Sequence, residues 1–461
     1  MRISVAIKKQ LKQAVELLDR GLDKNIRVCV TGLSGSGKTA FITSLMSQLL
    51  HQKKAQLPFW LAHAESRILG VKQITYTDLH IPEFPYKEAI SALESHQWPK
   101  STINISQSRI SIKFEVKNKW LKRIQPHSHL NIDIIDYPGE WLLDLPLLDL
   151  NFITWSKQFY EWANKKPQSK LADDWHQSVN NLLKAPSSES DIKLLAKEFR
   201  QFLVRCKDSS EGIHLIQPGR FILPGDLDGA PVLDFFPVPS HVNISDELAE
   251  KLEQRFNYYR DNIVKPFFKE YFTSVDRQLL LVDVLKVLNC GYDSYRELQQ
   301  TLSKLITSFD YGQTNWFKRM FQPKINKLII ASSKSDHVPP EQHNAMRAFL
   351  SNMLIDAENQ VGYQGIDVAT VVFSAIQVTE PVLAEHESKK LACVKGIEFE
   401  NNKEVINYPG KIPTEPMSKK QWSEQRYNFI DYAVPDLATD KQLPHHRMDR
   451  LIELLIGDKF L

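Results

Sequence analysis

The sequence predicts an α/β protein: a mostly parallel sheet with helices on both faces, plus a mainly helical insertion in the middle of the chain. Three observations lead there. A buried-strand composition, IRVCVT over residues 26–31, runs straight into GLSGSGKT at residues 32–39 and then into a helical pattern. Strand-like and helix-like segments alternate again after residue 276. Between residues 141 and 275 the texture changes to aromatic and charged residues at helical spacing.

Taken in order, residues 1–25 read as an N-terminal helix, with Val5, Val15 and Leu18 apolar and Lys8, Lys9 and Lys12 basic. Packing on the domain is the expectation for this helix, and its lysines leave peripheral contact with a membrane surface open. Lys8, Lys9, Lys12 and Glu16 interrupt any signal-peptide core. No run of about 18 uncharged apolar residues suggests a transmembrane span.

Ala40 to Leu50 gives a helix with Phe41, Leu45 and Leu49 on one face. Ile105 to Val116 alternates apolar and polar residues, which predicts an edge strand with one face in water. His129 to Asp136 is a second strand, and the short connection between the two predicts a hairpin. In the insertion, Ile192, Leu195, Phe199 and Phe202 form one stripe, with Ser187 or Ser188 as its N-cap. Strands are then expected at 279–284, 328–333 and 368–374, helices at 295–309 and 341–355, and a last amphipathic helix at 447–456. The remainder of the C-terminal region, rich in Lys, Glu and Pro, reads as irregular. Residues 26–140 and 276–461 would then form one α/β domain, and 141–275 a helical insertion domain.

Composition excludes several classes. The net charge of +3 gives no electrostatic case for nucleic-acid binding. Cys29, Cys206, Cys290 and Cys393 lack metal-binding or disulfide-framework spacing, which suits a reducing, cytoplasmic compartment.

The chemistry concentrates in short motifs at strand ends, where α/β folds bind ligands. GLSGSGKT matches G-x-x-x-x-G-K-[ST] throughout. Gly32, Gly35 and Gly37 let the backbone curl so that N–H groups of Ser34, Ser36 and Ala40 point at phosphate oxygens. Lys38 would bridge the terminal phosphates and Thr39 would give its hydroxyl to Mg²⁺. DYPG at 136–139 closes a strand: Asp136 suits a water-mediated hold on Mg²⁺, and Gly139 an N–H to the γ-phosphate. SKSD at 333–336 offers Lys334 to flank a base and Asp336 to accept from the ring N–H and amine of guanine. SAI at 374–376 places Ser374, Ala375 and Ile376 at another strand end, with the Ala375 N–H toward the guanine carbonyl.

In this order the motifs resemble the G1, G3, G4 and G5 boxes of Ras-like GTPases. More closely, the chain resembles the YcjX-like family of bacterial P-loop proteins, through GLSGSGKT, DLHIPEFPY (78–86), WPKST (98–102), DYPGEWLLDLPLL (136–148) and the terminal LLIGDKFL. The resemblance covers essentially the whole chain. It implies a Ras-like sheet, GTP/GDP and Mg²⁺ binding, a cytoplasmic location, a switching role in bacterial stress response, and a protein partner met through the switches or the insertion.

Two departures qualify that expectation. Ser333 stands where such boxes carry Asn or Thr, and Glu140 where many GTPases place a water-orienting Gln, which suggests slow hydrolysis. Thr102 is the first choice for the switch I hydroxyl on the metal, with Thr75 and Thr77 as alternatives. Lys38, Glu140 and Thr102 are thus the expected catalytic set. A P-loop ATPase or small-molecule kinase, and a nucleotide-holding scaffold with little turnover, remain as alternatives.

Overall fold

The computed structural model describes residues 24–460 except 54, 76–79, 119–121, 124, 183–187, 210, 241, 243, 273–274, 309–324, 387–388 and 437–442. The helix expected over 1–25 lies outside these residues, apart from Lys24 and Asn25, which open the first strand.

A seven-stranded sheet organises the chain. Its strands are β1 (Lys24–Gly32), β2 (Ile68–Ile74), β3 (Ser106–Glu115), β4 (His127–Asp136), β5 (Arg277–Val282), β6 (Lys327–Ser332) and β7 (Asp367–Val372). They lie in the order β2-β3-β4-β1-β5-β6-β7. From β4 to β7 all pairings are parallel, and β2 and β3 add antiparallel ones. The β3–β4 hairpin is present as expected. The strand at Ser106–Glu115 is not an edge, however: β2 pairs along it and takes the edge position. Ser106, Gln107, Ser108 and Ser111 are buried there, so the polar positions of the alternation do not face water.

Period-two alternation divides the sheet's side chains between two cores. Val28 and Val30 of β1, Leu279 and Leu281 of β5, and Ile329 of β6 face one side. That side is covered by α1 (Lys38–Leu50), α2 (Tyr86–Glu94) and a late helix, Met448–Ile456. Cys29, Ile135, Leu280 and Ile330 face the other side. There they join one continuous buried cluster with Trp155, Phe199 and Phe256 of the segment between β4 and β5.

That segment carries α3 (Phe152–Ala163), α4 (Asp173–Leu182), α5 (Glu189–Asp208), α6 (Asp246–Tyr258) and α7 (Lys265–Phe272). Ser188 caps α5 in a reciprocal box with Asp191, and the predicted stripe from Ile192 to Phe202 is buried. Beyond β5 follow α8 (Val284–Cys290), α9 (Tyr292–Ser308) and α10 (His343–Tyr363). The C-terminal region expected to be irregular contains an antiparallel sheet, β8 (Thr379–His386), β9 (Lys389–Ile397) and β10 (Glu404–Asn407). No helix among the described residues is long and apolar enough to cross a membrane.

Candidate functional site

Strand β1 ends in the P-loop, and Gly37 caps α1 in the left-handed conformation, φ 86°, which glycine adopts without strain. No side chain caps that helix and no acid occupies its first turn. Its N-terminal N–H groups therefore stay available to an anion, reinforced by the helix dipole. Lys38 is buried and donates from Nζ to the Gly32 carbonyl at 2.5 Å. Ser36 is buried too, with no hydrogen-bond partner for its Oγ among the described residues.

A cavity of about 510 Å³ opens over this loop, lined at one end by Ser34, Gly35, Gly37, Lys38, Thr39 and Ala40. Below it the three predicted metal-binding residues converge. Thr39 Oγ1 and Thr102 Oγ1 are 3.3 Å apart, and Thr102 Oγ1 donates to Asp136 Oδ2 at 2.5 Å. These pairs are 63 and 34 residues apart along the chain. Thr75 is not part of the cluster, and Thr77 lies outside the described residues.

The other oxygen of Asp136, Oδ1, is buried without a hydrogen bond among the described residues. Burial pushes the Asp136 carboxyl up to about 6, against the opposing effects of the Thr102 hydrogen bond and the Lys38 charge. Two hydroxyls and an under-satisfied carboxylate form an all-oxygen set, which suits a hard cation such as Mg²⁺. Ligands on adjacent corners of a Mg²⁺ octahedron stand about 3 Å apart, close to the threonine spacing.

Gly139 packs so tightly on the P-loop that a Cβ there would lie 1.9 Å from the Gly32 carbonyl oxygen. The chain then forms a 3₁₀ segment, Gly139–Asp149, in which Glu140 lines the cavity and is only 5% exposed. The helical segment clamps it from outside. A Cβ on Gly219 would stand 1.9 Å from the Glu140 carbonyl oxygen. Asp144 accepts from Gly219 N at 2.7 Å, Arg220 N at 3.3 Å and Tyr259 Oη at 2.5 Å. Trp141 Nε1 donates to Leu223 O, and the Arg220 guanidinium lies 3.3 Å over the Trp141 ring. P-loop, DYPG turn and helical segment thus touch in series, backbone to backbone.

The cavity is also lined by Ser333, Lys334, Ser374, Ala375 and Ile376. Ser333 Cβ lies 3.9 Å from where a Gly37 Cβ would be, so this residue does face the P-loop, although its Oγ makes no hydrogen bond among the described residues. Ala375 is anchored to α1 through its carbonyl, which accepts from Ser44 Oγ at 2.6 Å. Lys334 sits at φ 60° and reaches Asp283 at 2.8 Å and Asp431 at 3.1 Å. Burial alone would lower its pKa; the two carboxylates outweigh that and hold it above the ordinary lysine value.

Asp336 lies behind the lining. Its Oδ1 accepts from Ser374 Oγ at 2.5 Å and its Oδ2 from Val378 N at 2.8 Å. A carboxylate has about four lone-pair sites, so both oxygens keep acceptor capacity. Sequence reasoning missed Lys207, Leu223, Phe399, Asp431 and Tyr432, which also line the cavity. Lys207 and Leu223 come from the helical segment, Phe399 from the turn after β9, and Asp431 and Tyr432 from the stretch bridged to Glu398; none carries a motif. Trp98 lines it too, and its only signal was membership of the quoted WPKST run.

A family model described as the YcjX-like family, DUF463, matches residues 26–460. The protein named Ras-like GTPase YcjX from Escherichia coli (strain K12) is 37% identical over 470 residues, covering 98% of this chain and 99% of that one. The protein of the same name from Shewanella oneidensis is 36% identical over 482 residues, covering 99% of each.

Proposed function

The chain belongs to the YcjX-like family, and on that premise we propose that it is a GTP- and GDP-binding P-loop hydrolase acting as a slow regulatory switch. The observation that carries the reading is the convergence of Thr39, Thr102 and Asp136 beneath the P-loop. These are the residues that would hold Mg²⁺, whose chemistry is to neutralise charge on the phosphates.

The chain's own groups supply the rest. The P-loop N–H groups and Lys38 bind the phosphates, and Gly139 offers an N–H at the γ-position. Glu140, buried at the cavity wall, would orient water there, and its negative charge beside the phosphate is the reason to expect slow turnover. Lys334, Ser374, Ala375 and Ile376 would surround the base, with Asp336 accepting from guanine. Nucleotide state would reach the helical segment through Gly139, Glu140 and Gly219, because contacts this close cannot be compressed. We assign it to the cytoplasm and to a bacterial stress response on the family resemblance, with a protein partner engaging the switches or the helical segment.

A second reading has one observation in its favour. Both Asp336 oxygens are already hydrogen-bonded and the residue does not line the cavity, which suits a P-loop ATPase or a nucleotide-holding scaffold without guanine selection. Competitive binding of GTP, GDP and ATP with Mg²⁺, on wild type and Asp336→Asn, separates the two. Guanine preference lost in the variant is the expected result. Equal binding of ATP and GTP, unchanged by the substitution, would overturn the guanine assignment.

A further inference from the structure

We propose that Phe399, at the tip of the β9–β10 hairpin, is the stacking platform for the nucleobase, an inference that rests on the nucleotide-binding reading above. Phe399 lines the same cavity as the P-loop and is 58% exposed, so it has no share in the core. Single exposed apolar side chains are ordinary, and Phe59 and Tyr363 are others on this chain; what sets Phe399 apart is that its ring borders the cavity.

Its backbone is held firmly. Phe399 N donates to Asp431 O at 2.9 Å, and Glu398 bridges to Tyr432. Tyr432 is buried, packs edge-on against His337 at 4.8 Å, and accepts at its carbonyl from Trp98 Nε1 at 2.9 Å. The hairpin tip is therefore fixed to the fourth-box loop on one side and to the segment leading to Thr102 on the other.

The cavity's polarity says which part of a nucleotide meets this wall. Phosphates belong at the Gly35–Ala40 end, where the helix N–H groups converge. Phe399 and Asp431 belong to the opposite end, because Asp431 Oδ1 contacts Lys334 Nζ at 3.1 Å. With Lys334 held between Asp283 and Asp431, its aliphatic stem borders the base space. An aromatic face is sequence-tolerant, since every base presents a π-surface. Phe399 therefore contributes affinity, and the choice of purine is left to the groups at the base's edge.

The test is calorimetry on the full chain with Mg²⁺–GDP and, separately, Mg²⁺–pyrophosphate, which lacks a base. Loss of one stacked base corresponds to an affinity change of about 5- to 150-fold. Phe399→Ala should weaken GDP binding by about tenfold and leave pyrophosphate binding unchanged, and Phe399→Trp should restore the GDP affinity. An equal GDP affinity in wild type and Phe399→Ala would overturn the proposal, as would equal losses for both ligands. Failure of the parent reading looks different: wild type itself would bind no GDP, which overturns both.

Discussion

Adding one methyl group at Gly139 should abolish coupling between the P-loop and the DYPG turn while the sheet stays folded. The added Cβ would lie 1.9 Å from the Gly32 carbonyl oxygen and 2.6 Å from its carbon, where 3.0 Å is the closest approach real Cβ atoms show. Both obstacles are backbone, so the two loops must separate by more than about 1 Å, and no rotamer change can absorb it. Gly32 O is also the acceptor for Lys38 Nζ, so the displacement reaches the phosphate-binding lysine.

Overpacking of this kind costs about 1–3 kcal/mol, which as lost nucleotide affinity is about 5- to 150-fold. A misplacement of about 1 Å in a catalytic constellation costs on the order of a hundredfold in rate. The assay is GTP affinity and single-turnover hydrolysis of Gly139→Ala, with thermal melting as the check on folding. Gly70→Ala is the control, since a Cβ there meets nothing within 4 Å. If Gly139→Ala binds and hydrolyses GTP within twofold of wild type, the close approach has no functional weight and the reasoning fails.

The remaining predictions test the same site from other sides. Lys38→Ala should lose triphosphate binding with little change in melting temperature, because Lys38 Nζ bonds only to Gly32 O and Leu33 O among the described residues; undiminished binding would sink the P-loop assignment. Thr102→Ala should raise the Mg²⁺ concentration needed for half-maximal GTP binding by about tenfold, roughly one charge-assisted hydrogen bond, and an unchanged Mg²⁺ titration would remove Thr102 from the metal set. Gly219→Ala should slow hydrolysis without adding any atom to the nucleotide cavity, since its Cβ would strike Glu140 O at 1.9 Å; wild-type turnover in that variant would disconnect the helical segment from the switch.

The pH prediction concerns Asp144, whose carboxyl burial pushes up to about 6 against the donors Tyr259, Gly219 and Arg220. Between the unfolded value near 4 and the folded value near 6 the folded chain binds the extra proton, so this group's contribution to stability rises as pH falls. Relative to Asp144→Asn, wild type should gain about 1 kcal/mol of unfolding free energy between pH 7 and 5. A constant difference between the two proteins across that range would contradict the assignment.

Much of this protein is legible one segment at a time. Strands β1, β5 and β6 show as short apolar runs because parallel strands inside a sheet bury both faces, and that composition survives without any partner in view. GLSGSGKT is likewise local, since a curled backbone feeding a helix needs its glycines in place whatever surrounds it. Ser188 and the stripe behind it show their helix for the same reason.

What the sequence could not show depended on neighbours far along the chain. Strand β2, ILGVKQI, is half exposed and broken by Gly70, so its pattern is weak until β3 pairs with it. The buried serines of β3 read as a wet face because hydropathy cannot register what packs over a polar side chain in the folded chain. Lysine and glutamate dilute the alternation of β8 and β9, and pairing supplies the order that composition hides. At the site, Thr102 was one of several threonines until the fold brought it to Thr39 and Asp136. Phe399, Asp431 and Lys207 have no spacing that marks them, because a cavity wall is built from whichever residues the folded chain brings there. Local sequence determined where phosphate chemistry belongs; tertiary contact decided what encloses it, since enclosure requires segments that meet only in the folded chain.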